Sequence, residues 1–297
     1  MNNLKKALSL LALGLIIQSL GCEAETNLYV AGDIADCRTE SFEKTDAFKT
    51  AALVKTHLQN DPKALVVTLG DNVYQNGTAS EFAECYGNTW GQFKDRTLPL
   101  PGNHDYNTKD AVPYYNYFGK QAGPDQLGYY SINFQKWHVL SLNSNLTGEA
   151  QQKQIDWVKK DLADHKDMCT IAAWHHPVLS SGMHGNNAIM TPFWNILQSS
   201  GALLVLAGHE HNYERFSPQD ADGTSNTFNG LTEIIVGTGG VKLRPFGKPI
   251  HNSVFWDNTS HGVLHLTLTD EQVEWQFESI DDGTNHDRGI LTCHSSN

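Results

Sequence analysis

Five short segments of the chain place metal-binding types of side chain directly after hydrophobic runs. In each segment, small or apolar residues lead straight into Asp, Asn or His. The segments are Gly32-Asp33, Gly70-Asp71-Asn72-Val73-Tyr74, Gly102-Asn103-His104-Asp105, Ala172-Ala173-Trp174-His175 and Gly208-His209-Glu210-His211. Carboxylate, amide and imidazole groups of these kinds bind the metal ions that assist hydrolysis.

Each segment taken alone has an ordinary explanation. An Asp after Gly is usually part of a turn or a helix cap, and Asn-His-Asp is usually a surface loop. Taken together and in this order, the segments predict one metal site, because ligands in open α/β sheets bind beyond the carboxyl ends of strands. The glycines allow the sharp turns that bring the next side chain to that rim.

Hydrophobic runs alternate with amphipathic stretches, which predicts an α/β architecture. The predicted strands cover residues 28–30, 64–69, 98–100, 171–174, 203–207, 234–236 and 263–268. Helical spacing of apolar residues predicts two helices. One helix runs through Ala47, Ala51, Val54 and Leu58, and the other runs through Ile155, Val158 and Leu162.

The final third of the chain is rich in strand signals. Apolar residues alternate at Val273, Trp275 and Phe277, which predicts a second sheet packed on the first. The turn at 237–240, Gly-Thr-Gly-Gly, lacks the Lys-Ser/Thr ending and the following helix of a phosphate-binding loop. We therefore interpret it as a tight structural turn.

The composition narrows the classes of partner. The 297 residues include 39% apolar residues, enough for one large domain, and carry a formal net charge of −12. Such an acidic chain is not expected to bind nucleic acid or an anionic membrane surface as its main partner. A phosphate substrate stays compatible with this charge, because bound metal ions can reverse the local field.

The first residues predict a targeting segment. Lys5 and Lys6 precede an apolar run over 8–17 that is too short to anchor the chain across a bilayer. Cleavage after Ala24 would make residues 1–24 a signal peptide and 25–297 the mature domain. Alternatively, Cys22 would be lipidated as in a bacterial lipoprotein. Either route predicts export, to the periplasm or the medium, or to a membrane through a lipid on Cys22.

Either route also leaves four cysteines in an oxidising compartment, which can form two disulfides. We expect Cys37 to pair with Cys85, because both lie shortly after motifs that must converge, and Cys169 to pair with Cys293. Three connectivities are compatible with the sequence. Four buried thiols are the other alternative.

The ordered motifs resemble those of the calcineurin-like metallophosphoesterase superfamily, and within it those of the purple acid phosphatases. Many members carry Asp-x-His in the first motif, but this chain has Ala35 there. Purple acid phosphatases use instead the Tyr of Gly-Asp-x-x-Tyr, which matches Gly70 to Tyr74. The run from 208 to 215 is similar to their Gly-His-x-His-x-Tyr-Glu-Arg. Asp36, in place of the second Gly of Gly-Asp-x-Gly, is a departure that concerns the loop geometry.

This resemblance extends from about Asn27 onward and implies the compact, single-domain type. The implied fold is a four-layer α/β/β/α sandwich of two mixed sheets flanked by helices. The implied cofactor is a pair of metal ions. Asp33, Tyr74 and His211 would bind the first ion, Asn103, His175 and His209 would bind the second, and Asp71 would bridge them. Tyr74 has an alternative interpretation as a turn aromatic packed on the rim.

Ligand chemistry narrows the metals. Carboxylate and phenolate oxygens suit Fe(III), whereas two imidazoles and an amide oxygen suit Fe(II), Zn(II) or Mn(II). A trivalent and a divalent ion together leave a net positive site that attracts a phosphate dianion. Two divalent ions would leave the same site neutral, so the Tyr74 ligand favours the mixed pair.

The resemblance also implies the reaction. A hydroxide held at the metals would attack phosphorus, while His104 and His184 lie beside the phosphate and protonate the leaving oxygen. Asn103 and His176 would contact substrate as well. His176 is the less favoured metal ligand, because the family's ligand lies two residues before Pro, here Pro177. His184 could instead be an exposed loop residue.

The function expected from these motifs is hydrolysis of small phosphate monoesters with an acid optimum. A phosphodiesterase or nucleotidase of the same superfamily is the first alternative, since loops such as 106–117 and 180–187 decide the substrate. A non-catalytic metal-binding surface protein is the second. That alternative predicts a lost ligand or a lost His104, and this chain retains them all.

Overall fold

The computed structural model describes residues 25–281 and 285–293. The strands are β1 (Thr26–Ala31), β2 (Leu65–Leu69), β3 (Thr97–Leu100), β4 (Tyr130–Phe134), β5 (Trp137–Ser141), β6 (Cys169–Ala173), β7 (Leu204–Ala207), β8 (Tyr213–Phe216), β9 (Thr232–Val236), β10 (Ser253–Asp257), β11 (Gly262–Leu268), β12 (Gln272–Ser279) and β13 (Asn285–Thr292). The α-helices are α1 (Asp46–Asn60), α2 (Val112–Phe118), α3 (Gly148–Asp164) and α4 (Thr191–Ser199). The targeting segment 1–24, with Cys22, lies outside the described residues and stays a prediction.

The strands form two mixed sheets. The first has the order β13-β12-β11-β1-β2-β3, and the second has the order β10-β8-β9-β7-β6-β5-β4. In the first sheet β1, β2 and β3 are parallel, and in the second β5, β6, β7 and β9 are parallel. Antiparallel strands complete both sheets. All seven strands predicted from hydrophobic runs are present.

One sequence expectation about the sheets is wrong in part. In the final third of the chain, β7 to β10 belong to the second sheet, but the alternating residues Val273, Trp275 and Phe277 belong to the first, because β11 pairs antiparallel with β1 and β12 pairs with β11. The second sheet comes from the middle of the chain, β4 to β10. Alternation along β12 shows only that one of its faces is buried, and it cannot say which strand will be the neighbour.

Alternating burial along the second sheet separates two apolar cores. Leu204 and Leu206 of β7 pack into the core that contains the β1 and β2 residues, so they face the first sheet. Val205 and Ala207 of the same strand pack with residues of α3 and α4. Both faces of β7 are thus covered, as is usual for parallel strands.

Helix α1 covers the outer face of the first sheet. Its apolar stripe is buried, and the Thr45 hydroxyl caps its first turn by accepting from the Phe48 N–H at 3.2 Å. On the sheet, the Tyr29 ring stacks on His57 of α1 with 4.7 Å between ring centroids. Helices therefore flank both sheets, and the predicted four-layer α/β/β/α sandwich is confirmed. No helix in the part of the chain that is described is long and apolar enough to cross a membrane.

Both expected disulfides are present. Cys37 is bonded to Cys85, and Cys169 is bonded to Cys293, with Cα–Cα distances of 5.8 Å and 5.6 Å. The second bond joins the start of β6, in the second sheet, to the residue after β13, in the first sheet. It therefore ties the edge hairpin of one sheet to the other sheet.

We predict that replacing both Cys169 and Cys293 by Ser lowers the free energy of unfolding by about 2 to 5 kcal/mol, because the bond closes a long loop in the unfolded chain. Urea unfolding of the variant and of the wild type, followed by circular dichroism, measures the difference. Reducing the wild type should reproduce much of the loss. An unchanged unfolding midpoint in the variant would contradict the prediction.

Candidate metal centre

The five motif segments follow β1, β2, β3, β6 and β7 and meet at one edge of the two sheets. Backbone hydrogen bonds hold neighbouring segments together: the Asp33 N–H donates to the Gly70 carbonyl at 3.1 Å, and the Gly208 N–H donates to the His175 carbonyl at 3.0 Å. A third bond, from Gly32 to the Val236 carbonyl at 2.8 Å, links the two sheets at this edge. The carboxyl ends of both sets of parallel strands thus form a common rim.

Three of the motif residues have backbone angles that suit glycine better. Asp33, Asp71 and His209 have φ values of 60°, 47° and 71°, in the left-handed region. Non-glycine residues are held there only when their surroundings fix them, and such positions cluster at functional sites. Here the left-handed turns aim three polar side chains into one buried space.

The first group of side chains surrounds the Tyr74 hydroxyl. Tyr74 Oη lies 2.7 Å from Asp33 Oδ1, 3.1 Å from Asp71 Oδ2 and 3.3 Å from His211 Nε2. Its ring is almost fully buried. Tyr74 is therefore buried among the candidate ligands.

The second group surrounds His175. Its Nε2 atom lies 3.1 Å from Asn103 Oδ1, 3.2 Å from His209 Nδ1 and 3.3 Å from Asp71 Oδ2. The carboxylate of Asp71 belongs to both groups. Polar atoms of both groups lie close enough to share a metal ion, as the triad Asp33, Asp71 and His175 shows, with ligand atoms within 4.8 Å of one another.

Backbone groups orient the candidate ligands. Asp33 Oδ2 accepts from the His209 N–H at 2.7 Å, and Asp71 Oδ1 accepts from the His104 N–H at 2.7 Å. Each carboxylate therefore directs its other oxygen towards Tyr74 Oη and the candidate ligands around it. Nδ1 of His175 lies 2.7 Å from the Leu69 carbonyl. When Nδ1–H donates to a carbonyl, the ring presents the Nε2 lone pair to a metal.

The two buried carboxylates have opposite pKa shifts. Burial raises the pKa of Asp33 to about 7, and the neighbouring Asp71 carboxylate adds to the rise. Burial alone would raise the pKa of Asp71. The charge on His175 and the hydrogen bonds from His175 and His104 outweigh this effect, so the pKa of Asp71 is lowered. Ionising both groups together is therefore unfavourable unless further positive charge is present.

Burial and neighbouring charges also shift the pKa values of the other donors. Burial and two nearby carboxylates raise the pKa of Tyr74 well above its usual value. Burial, with nearby cationic charge, lowers the pKa of His211 to about 3 and that of His209 further, so both imidazoles are neutral. Burial opposes the charge on His175, yet Asp71 and Asp33 raise its pKa to about 9.

These donors fit metal ions. Among the described residues, only histidines lie within ion-pair distance of the Asp33 and Asp71 carboxylates, and no Lys or Arg neutralises them. Two acidic groups and a phenol are thus buried among nitrogen and amide donors, and the positive charge beside them comes from the protonated His175 ring and not from a Lys or Arg. Metal ions supply the missing charge and displace the protons that the cluster otherwise shares.

Three further histidines, His104, His176 and His184, lie around the mouth of this centre. His104 Nδ1 lies 2.8 Å from the Gln75 carbonyl, and its ring lies 4.4 Å from that of Tyr74. His184 stacks on His209 with 4.3 Å between centroids, and 42% of its side chain is exposed. His176 lies 4.5 Å from the His209 ring. All the site residues expected from the motifs therefore lie together.

The sequence profile of the family described as calcineurin-like phosphoesterase matches residues 26–213, which is more than half of the chain. The chain belongs to this family. The resemblance inferred from the motifs is thereby confirmed.

Two curated relatives and one solved structure describe the likeness further. Purple acid phosphatase 15 of Arabidopsis thaliana is 26% identical over 233 residues, which cover 62% of this chain and 41% of the plant protein. A probable cyclic nucleotide phosphodiesterase of Psychrobacter arcticus is 27% identical over 204 residues, 63% of this chain and 71% of that protein. A purple acid phosphatase from yellow lupin seeds has a TM-score of 0.74 at 19% identity, covering 91% of this chain and 54% of that one.

These comparisons support the purple acid phosphatase type, and the lupin structure supports the fold. The chain spans about two fifths of the Arabidopsis protein and about half of the lupin chain. Residues 26–213 of this chain, which match the family profile, contain all five motif segments.

The structure shows contacts of three residues to which the sequence analysis assigned no role. Asp105 is buried and accepts from the Gly102 N–H at 2.9 Å and the Asn72 amide at 2.9 Å, so it joins the second and third motifs. Glu210 is buried between two candidate ligands and accepts from the His184 N–H at 2.7 Å. Arg244 contacts the His184 ring. Asp105 and Glu210 lie inside motif segments and so carried a local signal, whereas Arg244 carried none.

Three buried glutamates form hydrogen bonds with the loop that carries His184. Their carboxylates accept N–H donors along the loop: Glu233 from Val178 at 2.9 Å, Glu214 from Ser181 at 2.9 Å and Glu210 from His184 at 2.7 Å. Each glutamate comes from β8, β9 or the segment before β8. The loop is therefore fixed to the second sheet at several points.

The glycine-rich turn at 237–240 is structural, as its sequence indicates. The Gly239 N–H donates to the Gly32 carbonyl at 2.9 Å, and the Gly237 N–H donates to the Asn212 carbonyl at 2.9 Å. A Cβ atom on Gly237 would lie 1.8 Å from the Glu210 carbonyl oxygen. The turn thus packs the first and last motif segments together and offers no free N–H cradle at these two positions.

We predict that Gly102→Ala weakens metal binding about 10- to 100-fold, because a Cβ at Gly102 would lie 2.1 Å from Asp71 Oδ1 and must displace that carboxylate. Elemental analysis after equilibrium dialysis against limiting metal measures the effect. Gly119→Ala is the control, since no atom lies within 4 Å of the Cβ position of Gly119; the substitution strains only the local backbone there, φ 58°, and metal binding should not change. Full metal retention by Gly102→Ala would show that Asp71 is not a ligand.

Proposed function

We propose that this chain is an exported phosphatase with two metal ions that hydrolyses phosphate monoesters. The observation that carries the proposal is the pair of donor groups that share Asp71, with a tyrosine in the first group. Ala35 stands where many family members have a metal-binding histidine, and Tyr74 Oη lies among Asp33, Asp71 and His211 instead. Replacement of that histidine by a tyrosine distinguishes the purple acid phosphatase motifs from those of many other family members.

The two donor groups define which residues would hold each ion. Asp33, Tyr74 and His211 would hold the first, Asn103, His175 and His209 the second, and Asp71 both. The anionic oxygens of the first group suit Fe(III), and the nitrogen and amide donors of the second suit Fe(II), Zn(II) or Mn(II). When bound, such ions polarise phosphoryl oxygens and lower the pKa of water.

The histidines at the mouth would bind the phosphate and move the proton. His104 is oriented by its Nδ1 contact with the Gln75 carbonyl, which leaves Nε2 on the side of Asp71 at 3.9 Å. His184 lies over His209 with an exposed edge, where its ring can donate a proton to the leaving oxygen. The Asn103 amide and His176 would complete the contacts with the substrate.

Export is supported by the covalent chemistry of the chain. Two disulfides persist in oxidising compartments and are rare in the cytosol. The N-terminal targeting signal predicted from residues 1–24 agrees with this location. The partner we propose is a small phosphate ester, and the acidic charge disfavours nucleic acid as a binding partner.

The second candidate function is phosphodiester hydrolysis. The similarity to a probable cyclic nucleotide phosphodiesterase, of which the chain covers 71%, favours it. The same ligand set would serve both reactions, so the two functions differ only in what the mouth of the site accepts.

The test of the proposed function is hydrolysis of p-nitrophenyl phosphate beside bis(p-nitrophenyl) phosphate, across pH, by the chain starting at Glu25. Preference for the monoester with an acid optimum supports the proposal, and a visible tyrosinate-to-iron absorption band would support Fe(III). Preference for the diester, or a neutral to alkaline optimum, would assign the protein to the phosphodiesterases. Hydrolysis of neither ester with both metals bound would favour a non-catalytic role.

We predict that His184→Ala lowers kcat for the monoester about 100- to 10,000-fold, the usual contribution of a general acid. The bound metal, measured by elemental analysis, should not change, because His184 is absent from both donor groups. Steady-state kinetics at saturating substrate measures the effect.

His165→Ala is the control, since His165 lies at the end of α3, where it contacts the Asp161 carbonyl at 2.7 Å and no candidate ligand. Its kcat should equal that of the wild type. An unchanged kcat in His184→Ala would refute the proton-transfer role, and lost metal would mean that His184 supports the ligands instead.

A further inference from the structure

Arg244 lies at the mouth of the metal centre without having been part of any motif. It belongs to the irregular segment between β9 and β10, and its backbone is fixed on both sides. The Arg244 N–H donates to the His211 carbonyl at 3.0 Å, and its own carbonyl accepts from the Asn258 side chain at 3.0 Å. The position of the residue is therefore tied to a candidate metal ligand.

The side chain of Arg244 reaches His184, which the proposed function places beside the phosphate. Its Nη1 atom lies 2.9 Å from His184 Nε2 and 3.1 Å from His184 Nδ1. His184 in turn stacks on His209 of the second donor group. A phosphate that contacts both the His184 ring and the metal centre would thus meet the guanidinium at the same time.

Among the described residues, Arg244 differs from Arg38 and Arg215 in having no carboxylate partner. Arg38 forms a bidentate pair with Asp36 at 2.8 Å, and Arg215 forms one with Asp287 at 2.8 and 2.9 Å. Within residues 25–281 and 285–293, no carboxylate lies within 4.0 Å of the Arg244 guanidinium. Its charge is available for a ligand.

His184 also lies close to the buried carboxyl group of Glu210. Glu210 Oε2 lies 3.4 Å from His184 Nδ1 and is fully buried, so solvent and substrate do not reach it. The imidazole is therefore in contact with both a buried carboxylate and the Arg244 guanidinium. Arg presents several N–H donors in a planar fork that matches two oxygens of a phosphate.

We propose that Arg244 binds the phosphate of the substrate and makes the site select monoester dianions over diester monoanions. This inference rests on the proposed phosphatase function. A monoester has three unesterified oxygens and two negative charges, whereas a diester has two such oxygens and one charge. Because Coulomb attraction scales with the charge of the ligand, losing Arg244 costs the monoester more.

The test compares Arg244→Gln with the wild type on p-nitrophenyl phosphate and bis(p-nitrophenyl) phosphate. We expect kcat/KM for the monoester to fall about 10- to 100-fold, the range for a lost hydrogen-bonded charge pair, and the diester value to fall less than about threefold. Arg244→Lys should keep part of the monoester activity, since it retains the charge but not the fork.

Arg288→Gln is the matched control, because it removes the same charge from an exposed position on β13, at the far edge of the first sheet. Both substrates should be hydrolysed at the wild-type rate by this variant. An equal fall for both substrates in Arg244→Gln would overturn the proposal, since it would mean that Arg244 only positions His184. Unchanged kinetics would overturn it as well.

Binding of inorganic phosphate to the metal-loaded protein, measured by calorimetry, separates this inference from the proposed function. We expect the Kd of phosphate to rise about tenfold or more in Arg244→Gln and to stay constant in Arg288→Gln. An inactive wild type would refute the phosphatase function, yet the phosphate Kd would still decide whether Arg244 binds the anion. An unchanged Kd would refute its role.

Discussion

The buried carboxylate of Asp71 is the group on which the whole centre depends. Its Oδ2 faces both Tyr74 Oη at 3.1 Å and His175 Nε2 at 3.3 Å, while Oδ1 is held by the His104 N–H. A buried charge is costly unless hydrogen bonds and opposite charges surround it. The close approach of Gly102, which leaves no room for a side chain, and the left-handed turn at Asp71 both follow from holding this one group in place.

Two sheets are needed to build such a centre. The first sheet contributes the oxygen-rich loops after β1, β2 and β3, and the second contributes the histidines after β6 and β7. Packing the sheets face to face brings their carboxyl ends to the same edge, so that His209 can donate its N–H to Asp33 at 2.7 Å. The hard and the softer donors are thus separated by sheet, and Asp71 connects them.

The mouth of the site has a different construction from its floor. The floor consists of side chains fixed by backbone hydrogen bonds, whereas the mouth consists of a loop anchored by the buried Glu210, Glu214 and Glu233. Burial raises the pKa of Glu233 to about 8. These acids accept N–H donors of the loop, and Arg244 contacts His184 on it, so a cationic side chain lies at the mouth of the candidate site.

The sequence by itself predicted the strands that precede the five motif segments and the helices α1 and α3, because hydrophobic period, glycine turns and motif order are local properties of the chain. It favoured both disulfide pairs but left three connectivities open, and the folded chain decided between them. Only the tertiary structure decided that β11 joins the first sheet beside β1, since strand pairing depends on competing partners far away in the chain. It also decided that Arg244 meets His184 across 60 residues of sequence. No periodic pattern marks a residue in an irregular segment, and its contacts arise only when two sheets and their loops pack together.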